Sequence, residues 1–297
     1  MVQRRLLAIL AHPDDESFGL GGTLAKYART GVDVHVCTVT DGAAGSYDAE
    51  GTPSNQRGLE PVRGPKLSLA EIRRQELRCA CKILGVHLHT LSYRDSGMEG
   101  AKENQHPHSL YQADMDMVAQ ELVQLVQEVR PQVVITHDPS GGYFHPDHIK
   151  VNQAVCSVWE KLVAADPDRG TTKHSAGLWQ PARLYYTAIP RSSLKWFVRV
   201  LRLLRQDPRR FGQNKDIDLT AVGVPDEQIH VRLDVRRYVS IKEEASACHR
   251  SQGGGGSPRF LPRFVRNRFF GHEFFVQAQP PGPVTHRDLF EGLALSS

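Results

Sequence analysis

Leu6-Leu7-Ala8-Ile9-Leu10-Ala11-His12-Pro13-Asp14-Asp15-Glu16 is the stretch that decides the fold. Its first six residues are apolar without alternation, as expected of a strand covered on both faces, the situation of a parallel sheet between helices. A helical segment over Thr23–Thr30, closed by Gly31, and a β-branched strand over Val32–Thr40 complete a βαβ unit. Outward from there the alternation continues: a helix over Leu69–Leu84 ended by Gly85, a strand over His87–Ser92, a helix over Met115–Val129 stopped before Pro131, a strand over Gln132–Thr136, and a helix from Pro146 to Ala164. This order predicts an α/β fold with a Rossmann-like, doubly wound, mostly parallel sheet and a C-terminal extension. In such sheets ligands gather beyond the carboxyl ends of the strands.

Residues 1–165 read as a metal-binding catalytic core, and residues 166–297 as the part that completes the same domain and the substrate cleft. In the second part the pattern predicts a strand over Leu184–Ile189, a helix over Leu194–Arg205, helical structure over Tyr238–His249 and a closing strand over Phe274–Val276. Residues 42–67 are rich in Gly, Pro, Ser and Asn and read as a long functional loop, and Gly253–Ser257 as a flexible one. The span 191–210 carries seven Lys or Arg and reads as a basic helical insertion, packed on the core by Leu194 and Leu201 with Lys195, Arg199 and Arg202 in water. Arg259, Arg263, Arg266 and Arg268 extend its charge.

Composition excludes several classes. A chain of 297 residues with 40% hydrophobic content can bury the core of an ordinary enzyme. No apolar run approaches the roughly 20 residues of a membrane span, and Leu6–Ala11 is too short for a secretory signal core, so the expected location is the cytoplasm. A net charge of +4 from 37 basic and 33 acidic residues is too weak to imply a nucleic-acid partner. The five cysteines are odd in number and scattered, with no Cys-x-x-Cys pair, and read as small buried apolar groups.

The chemistry sits at two strand ends. Ala11–Glu16 puts one histidine and three carboxylates directly after the first strand. Adjacent carboxylates suit metal hydrolysis, since one can bind an ion while its neighbour takes a proton from water. Alone, the turn reads equally well as an acidic helix start complementing the helix dipole. The second cluster, Gly141-Gly142-Tyr143-Phe144-His145-Pro146-Asp147-His148, again follows a strand. It offers a further imidazole ligand and a second imidazole beside a carboxylate. Together the clusters could surround one ion with two imidazoles and one carboxylate, the ligand set of a catalytic zinc site that keeps a position open.

The pair Ala-His-Pro-Asp-Asp-Glu (11–16) and His-Pro-Asp-His (145–148) closely resembles the hallmark of the PIG-L/LmbE-like zinc-dependent N-acetylglucosamine deacetylase family. Further blocks similar to the family's follow in its order: Thr40–Ser46, Arg73-x-x-Glu76, Tyr93–Met98 and His249-Arg250-Ser251-Gln252. The resemblance implies that His12, Asp15 and His148 bind the metal, Zn²⁺ with Fe²⁺ as the alternative, and that Asp14 is the general base for water on it. It makes His145 the cationic group that meets the oxyanion and protonates the departing amine, oriented by Asp147. Tyr143 matches a mobile tyrosine that polarises the carbonyl, Arg73 and Asp95 match positions that hold sugar hydroxyls or an attached group, and Glu16 is structural or supports the site from behind the metal ligands. His137 and Asp138 could join the metal's surroundings, and His249 could close the far side of the pocket.

The expected activity is therefore hydrolysis of an N-acetyl amide on a GlcNAc-containing small molecule, such as a GlcNAc-inositol or GlcNAc-malate type glycoside. Within the same class, an amidase of sugar-linked thiol conjugates shares the metal clusters. From another class, a non-catalytic Rossmann-like binder is disfavoured because Gly19-Leu20-Gly21-Gly22-Thr23-Leu24 lacks the third glycine of the dinucleotide fingerprint. Neither Ser17 nor Ser140 sits in a Gly-x-Ser-x-Gly elbow, which argues against a serine hydrolase. An amino-sugar small molecule is the expected partner, and a homo-oligomer is left open.

Overall fold

The computed structural model describes residues 3–45, 67–165, 178–203, 205–210, 217–254, 267, 270–282 and 285–293. Seven strands form one sheet in the order β3-β2-β1-β4-β5-β7-β6: β1 Arg5–Leu10, β2 Asp33–Thr40, β3 His87–Tyr93, β4 Val133–Thr136, β5 Arg183–Ala188, β6 Val231–Asp234 and β7 His272–Gln279. The first five are mutually parallel, and β7 lies antiparallel between β5 and β6. The sheet is thus mixed and mostly parallel, as the alternation predicts. β5, β6 and β7 all come from beyond residue 165 and extend the same sheet.

The apolar run of β1 has a direct structural cause. Leu6, Ala8 and Leu10 enter the core on one face, with Leu20 and Leu24 of α2 (Gly21–Arg29) and its approach, Ala80 and Leu84 of α3 (Leu69–Leu84), and Ala245 of α8 (Val239–Ser246). Leu7, Ile9 and Ala11 enter the opposite core, with Val118, Leu122 and Val126 of α4 (Met115–Val129) and Val151, Val155 and Val158 of α6 (Pro146–Ala165). Each fully buried Leu or Ile contributes roughly 1.5–3 kcal/mol, so this central strand is fixed from both sides. Local signals set the helix ends: Ser68 and Glu71 form a reciprocal capping box on α3, and Gly85 ends it in the left-handed conformation.

Some elements differ from expectation. A four-residue helix α1 (Asp15–Phe18) precedes α2, the glycine-rich stretch before His145 holds an irregular turn of helix, α5 (Gly141–Phe144), and β6 falls where the pattern predicts no strand. The basic insertion is α7 (Arg191–Leu203), which buries Leu194, Val198 and Leu201 in a satellite cluster with Leu219 and Val222. Reading the cysteines only as small apolar groups needs correction, because Cys79 on α3 and Cys248 are joined in a disulfide across 169 positions, a pairing no spacing rule reveals. Cys37 and Cys81 are free and buried. Most of the loop 42–67, most of Gly253–Ser257 and the four arginines from Arg259 to Arg268 lie outside the described residues. No described helix is long and apolar enough to cross a membrane.

Candidate metal centre and active site

The strand order reverses at β1, whose neighbours β2 and β4 lead away in opposite directions, and the crevice beyond these strand ends is where an open α/β sheet takes its ligand. β1 delivers His12–Asp15, β3 delivers Asp95, β4 delivers His137, and α6 starts with Pro146 at the one helical position where a missing N–H costs nothing, placing His145 just before the helix and His148 on its first turn. His12, Asp95, His137, His145, Asp147 and His148 are all buried.

Three donor atoms converge. His12 Nδ1 lies 3.0 Å from His148 Nε2, Asp15 Oδ2 lies 3.7 Å from His12 Nδ1, and it lies 3.5 Å from His148 Nε2. Ligands held about 2.0–2.1 Å from a tetrahedral ion stand about 3.3 Å apart, so this donor set fits a zinc-type ion. His137 Nε2 is also 3.5 Å from Asp15 Oδ2, but it accepts the Ala11 N–H at 3.0 Å, which occupies its lone pair. The far nitrogen of His12 meets carboxylates, at 3.2 Å from Asp147 Oδ2 and 3.4 Å from Asp95 Oδ1. A carboxylate on one imidazole nitrogen fixes the tautomer that leaves the other free for a metal. Burial alone would raise the Asp15 carboxyl, yet His148 and His137 outweigh it and hold it well below the usual range, ionised and ready to ligate.

Asp14 occupies a different environment one residue earlier. Its φ of 133° is rare for a non-glycine residue, and its N–H donates to Glu16 Oε2 at 2.9 Å. Burial pushes its carboxyl up to about 7 against the opposing pull of Arg73, a value suited to a base working near neutrality. Tyr143, in the irregular turn α5, lies with its ring centroid 5.2 Å from that of His148 and 5.9 Å from that of His145, and packs against the α7 cluster. Burial first, then the Asp15 and Asp14 carboxylates, push its phenol well above 10, so it stays protonated as a hydrogen-bond donor.

The surroundings of four of these residues bear on the roles expected of them. The Asp147 carboxylate does not orient His145: it sits on His12 and accepts the Ser96 N–H at 2.9 Å, whereas His145 Nδ1 receives only the Asp147 backbone N–H at 3.2 Å. Burial first, and then the neighbouring His12, lower the His145 imidazole to about 4, against the cationic role expected of it. Arg73 is buried and gives its guanidinium to Gly42 O (2.8 Å), Pro13 O (2.7 Å) and Asp14 Oδ2 (3.1 Å). Asp95 is buried between His12 and Arg73, 3.7 Å from the latter. Both residues thus contact the catalytic turn itself.

Sequence reasoning missed Glu273. Its carboxylate accepts the N–H groups of Gly22 (3.0 Å) and Thr23 (2.8 Å) at the start of α2 and pairs with Lys242 at 2.6 Å. A Cβ on Gly22 would stand 2.7 Å from Val235, so glycine is required there by close approach. The helix end where a dinucleotide binder seats its pyrophosphate is filled by the protein's own carboxylate. No sequence signal links positions 22 and 273.

Similarity to known proteins identifies the family. The PIG-L family profile, described as GlcNAc-PI de-N-acetylase, matches residues 7–159. A Thermomonospora curvata protein called 1D-myo-inositol 2-acetamido-2-deoxy-alpha-D-glucopyranoside deacetylase is 37% identical over 303 residues, covering 98% of this chain and 97% of its own. One of the same name from Thermobifida fusca is 36% identical, covering 98% of each chain. Among solved structures, N,N'-diacetylchitobiose deacetylase from Pyrococcus horikoshii aligns with a TM-score of 0.54 at 21% identity over 92% of this chain and 83% of that one. The 4-carboxy-2-hydroxymuconate hydratase GalB from Pseudomonas putida KT2440 aligns with a TM-score of 0.52 at 17% identity over 96% of this chain and 100% of that one. A hydratase on the same scaffold means that the fold alone does not fix the reaction. The family does not rest on the fold, however: with half the chain matched by the profile and relatives above one-third identity along nearly its whole length, the protein belongs to the PIG-L family.

Proposed function

We propose that the protein is a metal-dependent N-deacetylase that hydrolyses the acetamido group of a GlcNAc-containing small molecule, a GlcNAc-inositol by analogy with its relatives, releasing acetate and the free amine. The observation that carries this reading is the convergence of His12 Nδ1, Asp15 Oδ2 and His148 Nε2 within 3.0–3.7 Å, with the Asp14 carboxylate in the same turn. A divalent cation held by these three residues, Zn²⁺ or Fe²⁺, would supply Lewis-acid polarisation of the amide carbonyl and would make the attacking water more acidic.

The chain's own groups do the rest. Asp14 accepts the proton of the attacking water, with Arg73 fixing one carboxylate oxygen at 3.1 Å. The proton that Asp14 takes from the water is passed to His145, neutral at rest, which gives it to the departing amine, and the Tyr143 hydroxyl donates to the carbonyl oxygen as charge grows there. Asp147 and Asp95 hold the His12 ring by its far nitrogen, and Arg73, itself buried, braces the Asp14 turn from beneath.

The test measures release of acetate and of larger acyl groups by the purified protein from GlcNAc-inositol, N-acetylchitobiose and a sugar-linked thiol conjugate, before and after chelator treatment. Release from a GlcNAc glycoside, abolished by the chelator and restored by Zn²⁺ or Fe²⁺, is the expected result. Hydrolysis confined to the thiol conjugate would replace this substrate class, and full activity in the metal-stripped protein would remove the metal from the reaction.

A further inference from the structure

The block His249-Arg250-Ser251-Gln252 has no place in the chemistry above, yet it closes on the catalytic turn. His249 and Glu16 are both fully buried, and His249 Nε2 lies 2.7 Å from Glu16 Oε1 across 233 positions of sequence. The other oxygen, Glu16 Oε2, accepts the N–H of Asp14 at 2.9 Å. The segment that carries His249 is itself anchored to α3, through Cys248 bonded to Cys79 and through Ser251, whose N–H and Oγ reach Glu76 at 2.8 and 2.6 Å. α3 also carries Arg73, which holds the Asp14 carboxylate. One helix therefore grips Asp14 twice, by its side chain through Arg73 and by its backbone through His249 and Glu16.

A buried carboxylate requires a donor for each oxygen, which Glu16 has in the Asp14 amide on one side and in His249 and Ser17 on the other. A non-glycine residue at φ 133° persists only where its surroundings over-determine it. We propose that Glu16 and His249 are positioning residues for the deacetylation: through the Asp14 amide they hold the base in the strained turn that sets its carboxylate beside Arg73 and the metal-binding donors. Only the catalytic half of this proposal rests on the deacetylase reading; the hold on the Asp14 backbone is measurable without turnover.

The experiment compares Zn²⁺-loaded wild type with His249→Ala, Glu16→Ala and Glu16→Gln, reading amide exchange at Asp14 together with kcat, KM and metal content. Glutamine at position 16 keeps an acceptor for the Asp14 N–H and a donor for His249, whereas alanine keeps neither. In both alanine variants exchange at Asp14 accelerates by about tenfold or more. In the same variants kcat falls by about tenfold to a hundredfold at unchanged KM and metal content, the expected cost of a misplaced base. Glu16→Gln recovers most of both. Unchanged exchange at Asp14 in the two alanine variants overturns the proposal, and so does a kcat that falls only in step with lost metal or folded fraction. A wild type that releases no acetate defeats the deacetylase reading instead, and the exchange measurement still decides whether the pair holds Asp14.

Discussion

The tripeptide His-Pro-Asp occurs twice at the mouth of the sheet, at 12–14 after β1 and at 145–147 after β4, and the two copies exchange roles. In the first, the histidine is clamped by Asp147 and Asp95 with a lone pair turned to the donor cluster, while the aspartate is raised to about 7 by burial. In the second, the aspartate is fully buried on the His12 ring, while burial holds the histidine down to about 4 with a single backbone N–H as partner. The chemistry of each residue is set by what packs around it, since the covalent sequence is the same. His12 and Asp147 pack as one unit built from both copies, and in the proposed reaction Asp14 and His145 form a second pair, of base and acid.

The strongest way to break this comparison is to make the two aspartates equivalent by removing each in turn. Asp14→Asn keeps the shape and can still accept from Arg73 but cannot take a proton from water. Its kcat for acetate release falls by about 10²–10⁴, the usual worth of a general base, with metal content unchanged. Acetate release alongside metal analysis checks it; near-normal turnover in Asp14→Asn moves the base to another residue and dissolves the contrast.

What could be read from sequence follows from what short-range pattern encodes. Leu6–Ala11 announces a doubly covered strand because burial on two faces removes alternation, and Ser68, Glu71 and Gly85 mark α3 because capping is a local matter. His12, Asp14, Asp15, His145 and His148 stood out because their residue types are concentrated at strand ends. The partners of these residues were not legible. That Asp147 serves His12 and not its neighbour depends on the rotation of α6, and that Glu16 meets His249, Glu273 meets α2 and Cys79 meets Cys248 depends on contacts across more than 150 positions. Arg73 reads as an exposed helix arginine by pattern, and only the packing of α3 under the catalytic turn buries it.

Asp147→Asn gives a smaller effect of a different kind. It keeps the size of the side chain but weakens the hold on the far nitrogen of His12, so metal affinity falls by about 10–100-fold. Competition against a chelator of known affinity measures this. At saturating metal the variant regains more of its kcat than Asp14→Asn does. Equal metal affinity in wild type and variant would show that Asp95 alone orients His12.

The finest difference between the two copies is the guanidinium that only Asp14 possesses. Arg73→Met keeps the bulk under the turn and removes the charge that opposes burial, so the Asp14 carboxyl moves up from about 7. Since the base must be ionised, the acidic limb of kcat/KM shifts to higher pH by about one unit, and the loss of activity is larger at pH 6 than at pH 9. Stability moves with the same sign: a carboxyl raised in the folded state keeps its proton while the unfolded chain releases it. The metal-free protein therefore loses stability as pH rises from about 4 through 7, and in the variant this decline extends to higher pH. A pH–rate profile and melting temperatures across that range read both effects, and a limb that stays in place or moves downward would mean that Arg73 braces the Pro13 and Gly42 carbonyls without tuning the base.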